Sequence, residues 1–236
     1  MYKGIYIALS GGTLKQSQMD VISHNLANAQ TLGYKKDKIA FQDFLLSQLN
    51  GIEEGQESRI MSDLSAIQID FTDGNVVRTG NALDLALEGK SFIALEGGQY
   101  TRRGDLRIQD GYLVNKNGVK VLGTNNVPLK IPAGKVEIFP GGEVAVNGVV
   151  AGTIKIVDFP DLNVLKKMGD DHFTATVQGT PSKAGVKQGY LETSNVDMIR
   201  EMISLISALR EFQTFQKAIS AFDDTTAKVT NEMGRL

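Results

Sequence analysis

Few residues of this sequence have the types and spacing for chemistry. Asp170-Asp171-His172 offers three metal-ligating side chains. Sequence neighbours do not converge on one ion, and no second cluster completes a coordination shell. The triplet reads as a polar turn ahead of a strand at Phe173–Val177. Gly89-Lys90-Ser91 has the tail of a phosphate-binding loop, but the position five before Gly89 holds Asp84, whose carboxylate repels phosphate. No G-x-S-x-G elbow is present. His24, beside Asn25, reads as a polar group on a helix surface or interface. Asp223 and Asp224 diverge by about 100° on a helix and cannot work as a paired acid and base. Lys35-Lys36-Asp37-Lys38 reads as a solvated turn. The chain is therefore predicted not to be an enzyme, with no catalytic, cofactor-binding or metal-binding residue. Two lesser readings stay open. A cell-wall-acting enzyme needs a carboxylate with a raised pKa, and a sugar- or peptide-binding β module needs an exposed aromatic groove.

With chemistry so thin, the elements themselves become the argument. The 236 residues carry a formal charge of −2, with 42% hydrophobic and 22% charged residues, the balance of a globular chain. That balance lacks the basic excess of a nucleic-acid binder. There is no cysteine, hence no disulfide or thiolate site. No apolar run approaches the ~20 residues of a membrane span, and residues 1–9 lack the apolar core of a secretory signal peptide. Of 25 glycines, 21 fall between Gly33 and Gly189, as do all five prolines. Both residues break helices and build turns, so the order reads helix, turn-rich middle, helix.

Both ends carry a three-four apolar rhythm. In the first helix it runs Ile5, Ala8, Gly12, Lys15, Met19, Ile22, Leu26, Ala29. Gly12 and Lys15 are poor seam positions. In the last helix it runs Leu205, Ala208, Phe212, Phe215, Ile219, Phe222, Thr226, Val229, Met233, widened early by Ile199, Met202, Ile206 and Leu209. Ser194 and Asp197 form an S-x-x-D start signal, placing the helix start near Asn195 and its length at roughly 55–60 Å. Phenylalanines at this spacing read as helix–helix packing, not as a ligand pocket. A stripe that long cannot be hidden by a short chain end. It needs the first helix, neighbouring subunits, or both.

The middle reads as antiparallel β. Asp110-Gly111, Asn117-Gly118 and Asn147-Gly148 are type I′ hairpin signals. Short alternating segments flank them: Leu106–Ile108, Tyr112–Val114, Val119–Val121, Val144/Val146 and Ile154/Ile156. Residues 41–49 read as a short helix and the remainder up to Val77 as an extended arm. The fold class is α+β: long terminal helices paired as a coiled-coil-like layer, a central antiparallel all-β domain and a connecting arm. The boundaries are 1–33, 34–78, 79–190 and 191–236, the last segment packing with the first. The polar run Asn25-Leu26-Ala27-Asn28, ahead of a glycine cap at Gly33, predicts specific amide contacts between helix and arm.

Four motifs in order carry a family resemblance. They are Asp20–Asn28 followed by Thr31 and Gly33-Tyr34-Lys35; Thr79–Gly89; Tyr100–Gly104 with Asp110–Val114; and Gly189–Val196. Together they resemble the bacterial flagellar basal-body rod and hook proteins, with His24 and Gln30 as small departures. The compact segment Gly152–Phe159 is more similar to the proximal-rod member, with the distal-rod member next. The resemblance implies a structural subunit that stacks helically into the shaft carrying motor torque to the hook. It implies partners that are copies of this chain, other rod proteins and, during secretion, the flagellar export apparatus. It implies no cofactor, small-molecule substrate or nucleic acid, and a place in the periplasmic rod reached through the flagellar channel. Resemblance and stripes together assign the assembly interface to Met19, Ile22, Asn25, Leu26, Asn28, Gly33 and Tyr34 at one end. At the other end they assign Leu205, Leu209, Phe212, Phe215, Ile219, Phe222 and Val229.

Overall fold

The computed structural model describes residues 2–45, 60–169 and 171–233. The chain is α+β and divides into two compact units. Unit 1 comprises Met1–Leu26, Asp37–Gln68 and Asp197–Leu236; unit 2 comprises Ala27–Lys36 and Ile69–Val196.

Unit 1 contains the helices α1 (Tyr2–Ala27) and α2 (Met198–Met233) and, between them in sequence, the paired strands β1 (Asp37–Leu45) and β2 (Ile60–Ile69), save for the last residue of α1 and of β2. β1 replaces the short helix expected over 41–49, whose last four positions lie outside the described residues. Ile39 and Phe41 alternate with Lys38 and Ala40, a period-two pattern, and β2 supplies the ladder partner. α1 ends at Ala27, not beside Gly33. α2 starts at Met198, because Asp197 is the residue that caps it: Asp197 Oδ1 accepts from the Ile199 and Arg200 N–H groups at 3.1 and 3.2 Å. The Ser194 hydroxyl instead accepts from the Val196 N–H. At 1.5 Å per residue, the 36 residues of α2 span about 54 Å.

Unit 2 runs through β3 (Val76–Arg78), β4 (Leu85–Leu87), β5 (Ser91–Leu95), β6 (Gln99–Thr101), β7 (Arg107–Gln109) and β8 (Tyr112–Val114). It continues with β9 (Val136–Ile138), β10 (Glu143–Val146), β11 (Val149–Thr153), β12 (Ile156–Asp158), β13 (Leu165–Lys167) and β14 (His172–Ala175). The last strands are β15 (Thr180–Pro181), β16 (Val186–Gln188) and β17 (Tyr190–Glu192). A six-stranded sheet has the order β13-β14-β6-β5-β12-β15, a three-stranded one β11-β10-β9, and pairs form from β16-β4, β17-β3 and β7-β8. The pairings within these sheets are antiparallel.

β5 explains the layering. Its Ile93 and Leu95 enter an aliphatic core with Leu113, Val121, Val144 and Ile154. Phe92 and Ala94 enter an aromatic core with Phe71, Tyr100, Phe159 and Phe173. Both faces are buried, so the strand is apolar without alternation from Phe92 to Leu95. In the aromatic core, Phe92 meets Phe71, Phe159 and Phe173 edge-on at 5.5–5.9 Å. Asp110-Gly111 and Asn147-Gly148 take positive φ at both residues, as type I′ turns require. Asn117-Gly118 does so only at Gly118, because Asn115 Oδ1 accepts from the Asn117 and Val119 N–H groups and holds a different turn. Ile154 and Ile156 do not share a strand: the ladder of β11 ends at Thr153 and β12 opens at Ile156 on another sheet.

Candidate assembly interface

α1 and α2 touch through glycines. A Cβ built on Gly4 would lie 2.8 Å from Phe222 Cζ, and one on Gly11 would lie 2.7 Å from the Phe215 ring. Lys15 pairs with Glu211. As positions climb from 4 to 11 to 15 in α1, they fall from 222 to 215 to 211 in α2, so the helices run antiparallel. Gly4 and Gly11, neither of them on the expected stripe, are the seats for the aromatic rings. At Gly12, the expected weak position, a Cβ would make only ordinary contact with Phe215 and Phe212, and Lys15 is a charged partner at the same seam. Around these contacts Ala8, Ile22 and Ala208 are buried, and Met19, Leu26, Leu205, Phe212, Ile219 and Phe222 are half-buried.

A second apolar face of α2 is exposed among the described residues. Ile199 is 68% exposed and Ile203 60%, with Met202, Ile206, Leu209 and Val229 also exposed. The first five follow i, i+3, i+4, i+7, i+10 and so share one side of the helix. On α1, Tyr6, Ile7 and Leu9 are exposed.

The motif residues near Gly33 are occupied within the chain. In unit 1, Asn25 grips one residue from both sides: Nδ2 donates to the Asp37 carbonyl and Oδ1 accepts from the Asp37 N–H, each at 2.9 Å. In unit 2, Asn28 Oδ1 accepts from the Thr31 hydroxyl. Gly33 has φ +67 and its Cα lies against the Arg102–Arg103 backbone, where any side chain would collide. Tyr34 is fully buried, with Lys167 Nζ 4.1 Å over its ring.

The residue most misjudged from sequence is Lys35, expected in solvent and found 1% exposed. Its ammonium donates to Glu192 Oε1 at 2.7 Å and to the Thr72 carbonyl at 2.8 Å. Arg102, equally buried, holds Glu192 Oε2 through Nε at 2.9 Å and Nη2 at 2.7 Å, and donates to the Gly89 and Ser91 carbonyls. Gly74 N–H completes the shell of Glu192 Oε1 at 2.9 Å. Burial, the largest influence, pushes the Lys35 ammonium below its ordinary 10.5; Glu192 opposes this and Arg102 adds to it. The signal was split among three motifs: Gly33-Tyr34-Lys35, Thr101-Arg102-Arg103 and Leu191-Glu192-Thr193.

The candidates for chemistry have structural partners. His172 is buried between Asp171 and Asn115. Because Asn115 Oδ1 serves the turn, its amide NH₂ faces His172 Nε2; Nε2 then accepts and Nδ1–H donates to Asp171. Burial raises the Asp171 pKa, but bonds to His172 and Arg103 outweigh it and hold the carboxyl below 3.8, the wrong direction for a general acid. Among the described residues no group of three or more ligating side chains is placed to hold a metal ion. Asp170 lies outside them. His24 is half-exposed, 3.6 Å from Asp37. Gly89 turns the chain between β4 and β5 at φ +68. An open groove of about 500 Å³ runs beside Arg78, Lys135, Phe139 and Tyr190. No helix among the described residues is long and apolar enough to cross a membrane.

Comparison with known proteins gives this arrangement a context. Residues 5–35 match the family described as flagella basal body rod protein. Residues 187–232 match the flagellar basal body rod FlgEFG protein C-terminal family. The chain is 30% identical to the flagellar basal-body rod protein FlgG of Agrobacterium fabrum, over 98% of this chain and 99% of that one. It is 30% identical to the flagellar hook-basal body complex protein FlhO of Bacillus subtilis and 26% identical to the flagellar basal-body rod protein FlgF of Caulobacter vibrioides, each over the full length of both chains. The two matched segments are the two helical ends with the turns that bury Lys35 and Glu192, and the chain belongs to the flagellar basal-body rod family, as a structural rod protein and not an enzyme.

Proposed function

We propose that this chain polymerises helically through its terminal helices, with α1 and α2 paired as a coiled-coil-like layer, and that the polymer transmits motor torque to the hook. The observation that carries this reading is the uncovered face of α2, from Ile199 to Leu209. Exposed apolar side chains at helical spacing gain by being covered by a neighbour, and a contact that does not close on itself propagates as a helix. Met19, Ile22, Leu26, Phe212, Phe215, Ile219 and Phe222 hold the pair. Leu209 and Val229, with Ile199 and Ile203, meet adjacent subunits, and the half-buried Leu205 lies beside the pair. Asn25, Asn28, Gly33 and Tyr34 serve the interface by fixing the turn behind it. Partners are further copies and other rod proteins.

Export through the flagellum's own channel fits a chain free of cysteine and so of disulfides. A place in the proximal rod is supported by length. Alignment with Caulobacter FlgF spans 245 positions, against 262 with Agrobacterium FlgG. Complementation of strains lacking one or the other rod protein separates the two.

The main test is Ile203→Asp. It leaves the free chain folded and removes it from isolated basal bodies, since a carboxylate would be buried there without a partner. Normal incorporation of that variant overturns the interface.

A further inference from the structure

The chain passes between its two units at 26/27, 36/37, 68/69 and 196/197. Three of these passages, as they leave unit 2, meet on one side chain. Asn195 Oδ1 accepts from the Lys36 N–H at 2.8 Å. Its Nδ2 donates to the Asp70 carbonyl at 2.8 Å and to the carbonyl and hydroxyl oxygens of Thr72, each at 3.1 Å. Asn195 itself stands two residues before Asp197. Its amide thus spends its acceptor on one outgoing segment and its donors on a second, while its backbone is the third. Behind it lies a second tie: Lys35 donates to the Thr72 carbonyl that Asn195 also holds, and the Asp70 N–H donates to the Lys36 carbonyl at 2.8 Å.

We infer that Asn195 is a clasp that joins the outgoing segments of unit 2 into one mechanical element. The inference rests on the torque-carrying reading above. Force entering unit 2 along any one segment is shared across the amide's bonds in parallel, so the segments yield together. Without the clasp they peel away singly, each held by fewer bonds. Asn is the side chain for this task because it presents an acceptor and two donors on a short, planar stem. Alanine removes all of these. Aspartate keeps the acceptor toward Lys36 and replaces the donors toward Asp70 and Thr72 with a lone-pair oxygen.

Residue-resolved hydrogen exchange on the purified full chain tests the clasp. In Asn195→Ala, the Lys36 amide exchanges about tenfold or more faster. In Asn195→Asp, it keeps its protection while the Thr72 and Gly74 amides speed up. In both, the amides of β5 and β6 are unchanged. Lys36 protection equal in the two variants overturns the proposal, as does protection lost throughout β5 and β6, which would make Asn195 a general stabiliser of the core. In cells carrying only the Asn195→Ala chain, rods form in normal number but swimming fails in a viscous medium. Normal swimming there overturns the clasp, and so does absence of the variant from rods that contain the wild-type chain. Absence of the wild-type chain from rods would instead overturn the rod reading itself.

Discussion

Unit 2 pairs its largest buried charge cluster within itself. Arg102, Lys35 and Glu192 are charged yet nearly inaccessible, and each charged atom has a partner. In unit 1 the reverse holds on α2, where Ile199, Ile203 and Ile206 are more than half exposed with nothing polar to gain from water. A buried charge left unpaired is costly, so a network like that of unit 2 is viable only when finished within the chain. An exposed isoleucine costs little alone and gains only when a neighbour covers it. The difference separates a region whose buried charges are paired within the chain from one whose apolar face is left for the neighbour proposed above.

The sharpest way to break the self-sufficient side is Glu192→Ala. It leaves Lys35 and Arg102 with only the more exposed Asp73 carboxylate, at 3.9 and 3.3 Å, and the chain loses about 3–5 kcal/mol of unfolding free energy in denaturant titration. Phe173→Ala, which empties the centre of the aromatic core, costs a similar 3–5 kcal/mol by the same measurement. A loss under 1 kcal/mol for either would show that unit 2 depends on something outside itself. On the helical side, Gly11→Leu drives a side chain into the Phe215 ring and lowers stability by about 1–3 kcal/mol. Gly11→Ala is close to neutral, because the ~1 kcal/mol gained in helix propensity offsets the ring's displacement. Helical circular dichroism of the free chain reads both.

These regions also differ in how plainly the sequence announces them. The helices and their stripes follow from spacing alone, since a three-four rhythm needs only a cylinder of 3.6 residues per turn. The Asp110-Gly111 and Asn147-Gly148 hairpins were equally plain, because a positive φ at both positions is a local demand. The stretch 41–49 misled, since Phe41, Phe44 and Leu45 also fit a helix; its partner β2 is some twenty residues away, and pairing is not a local property. Lys35 and Glu192 were hidden for the same reason. They stand 157 residues apart, and a lysine in a run of charges looks like any surface lysine until the fold brings its carboxylate. The antiparallel seats of Phe215 and Phe222 were legible in principle: Gly4 and Gly11 lie seven apart, as do the two rings.

Acid sharpens the comparison further. The Asp171 carboxyl lies below 3.8 in the folded chain, so between that lowered value and 3.8 the unfolded chain binds more protons. Its contribution is therefore present above 3.8 and is lost as pH falls through the lowered folded value. Asp171→Asn removes the contribution at neutral pH and flattens the decline in stability below pH 3.8. An unchanged slope would mean that the bonds to Arg103 and His172 hold nothing together.

The smallest effect on the free chain falls on the uncovered face. Ile199→Ser changes a side chain that touches little in the single chain, so unfolding free energy shifts by no more than about 0.5 kcal/mol. In the proposed polymer the same change removes an apolar contact from every repeat, and a loss that is slight once is multiplied along the shaft. Ile199→Ser chains should therefore fold as well as wild type and yet yield fewer or shorter rods. A variant markedly unstable as a free chain would show instead that the face is already covered, and that unit 1, like unit 2, is complete alone.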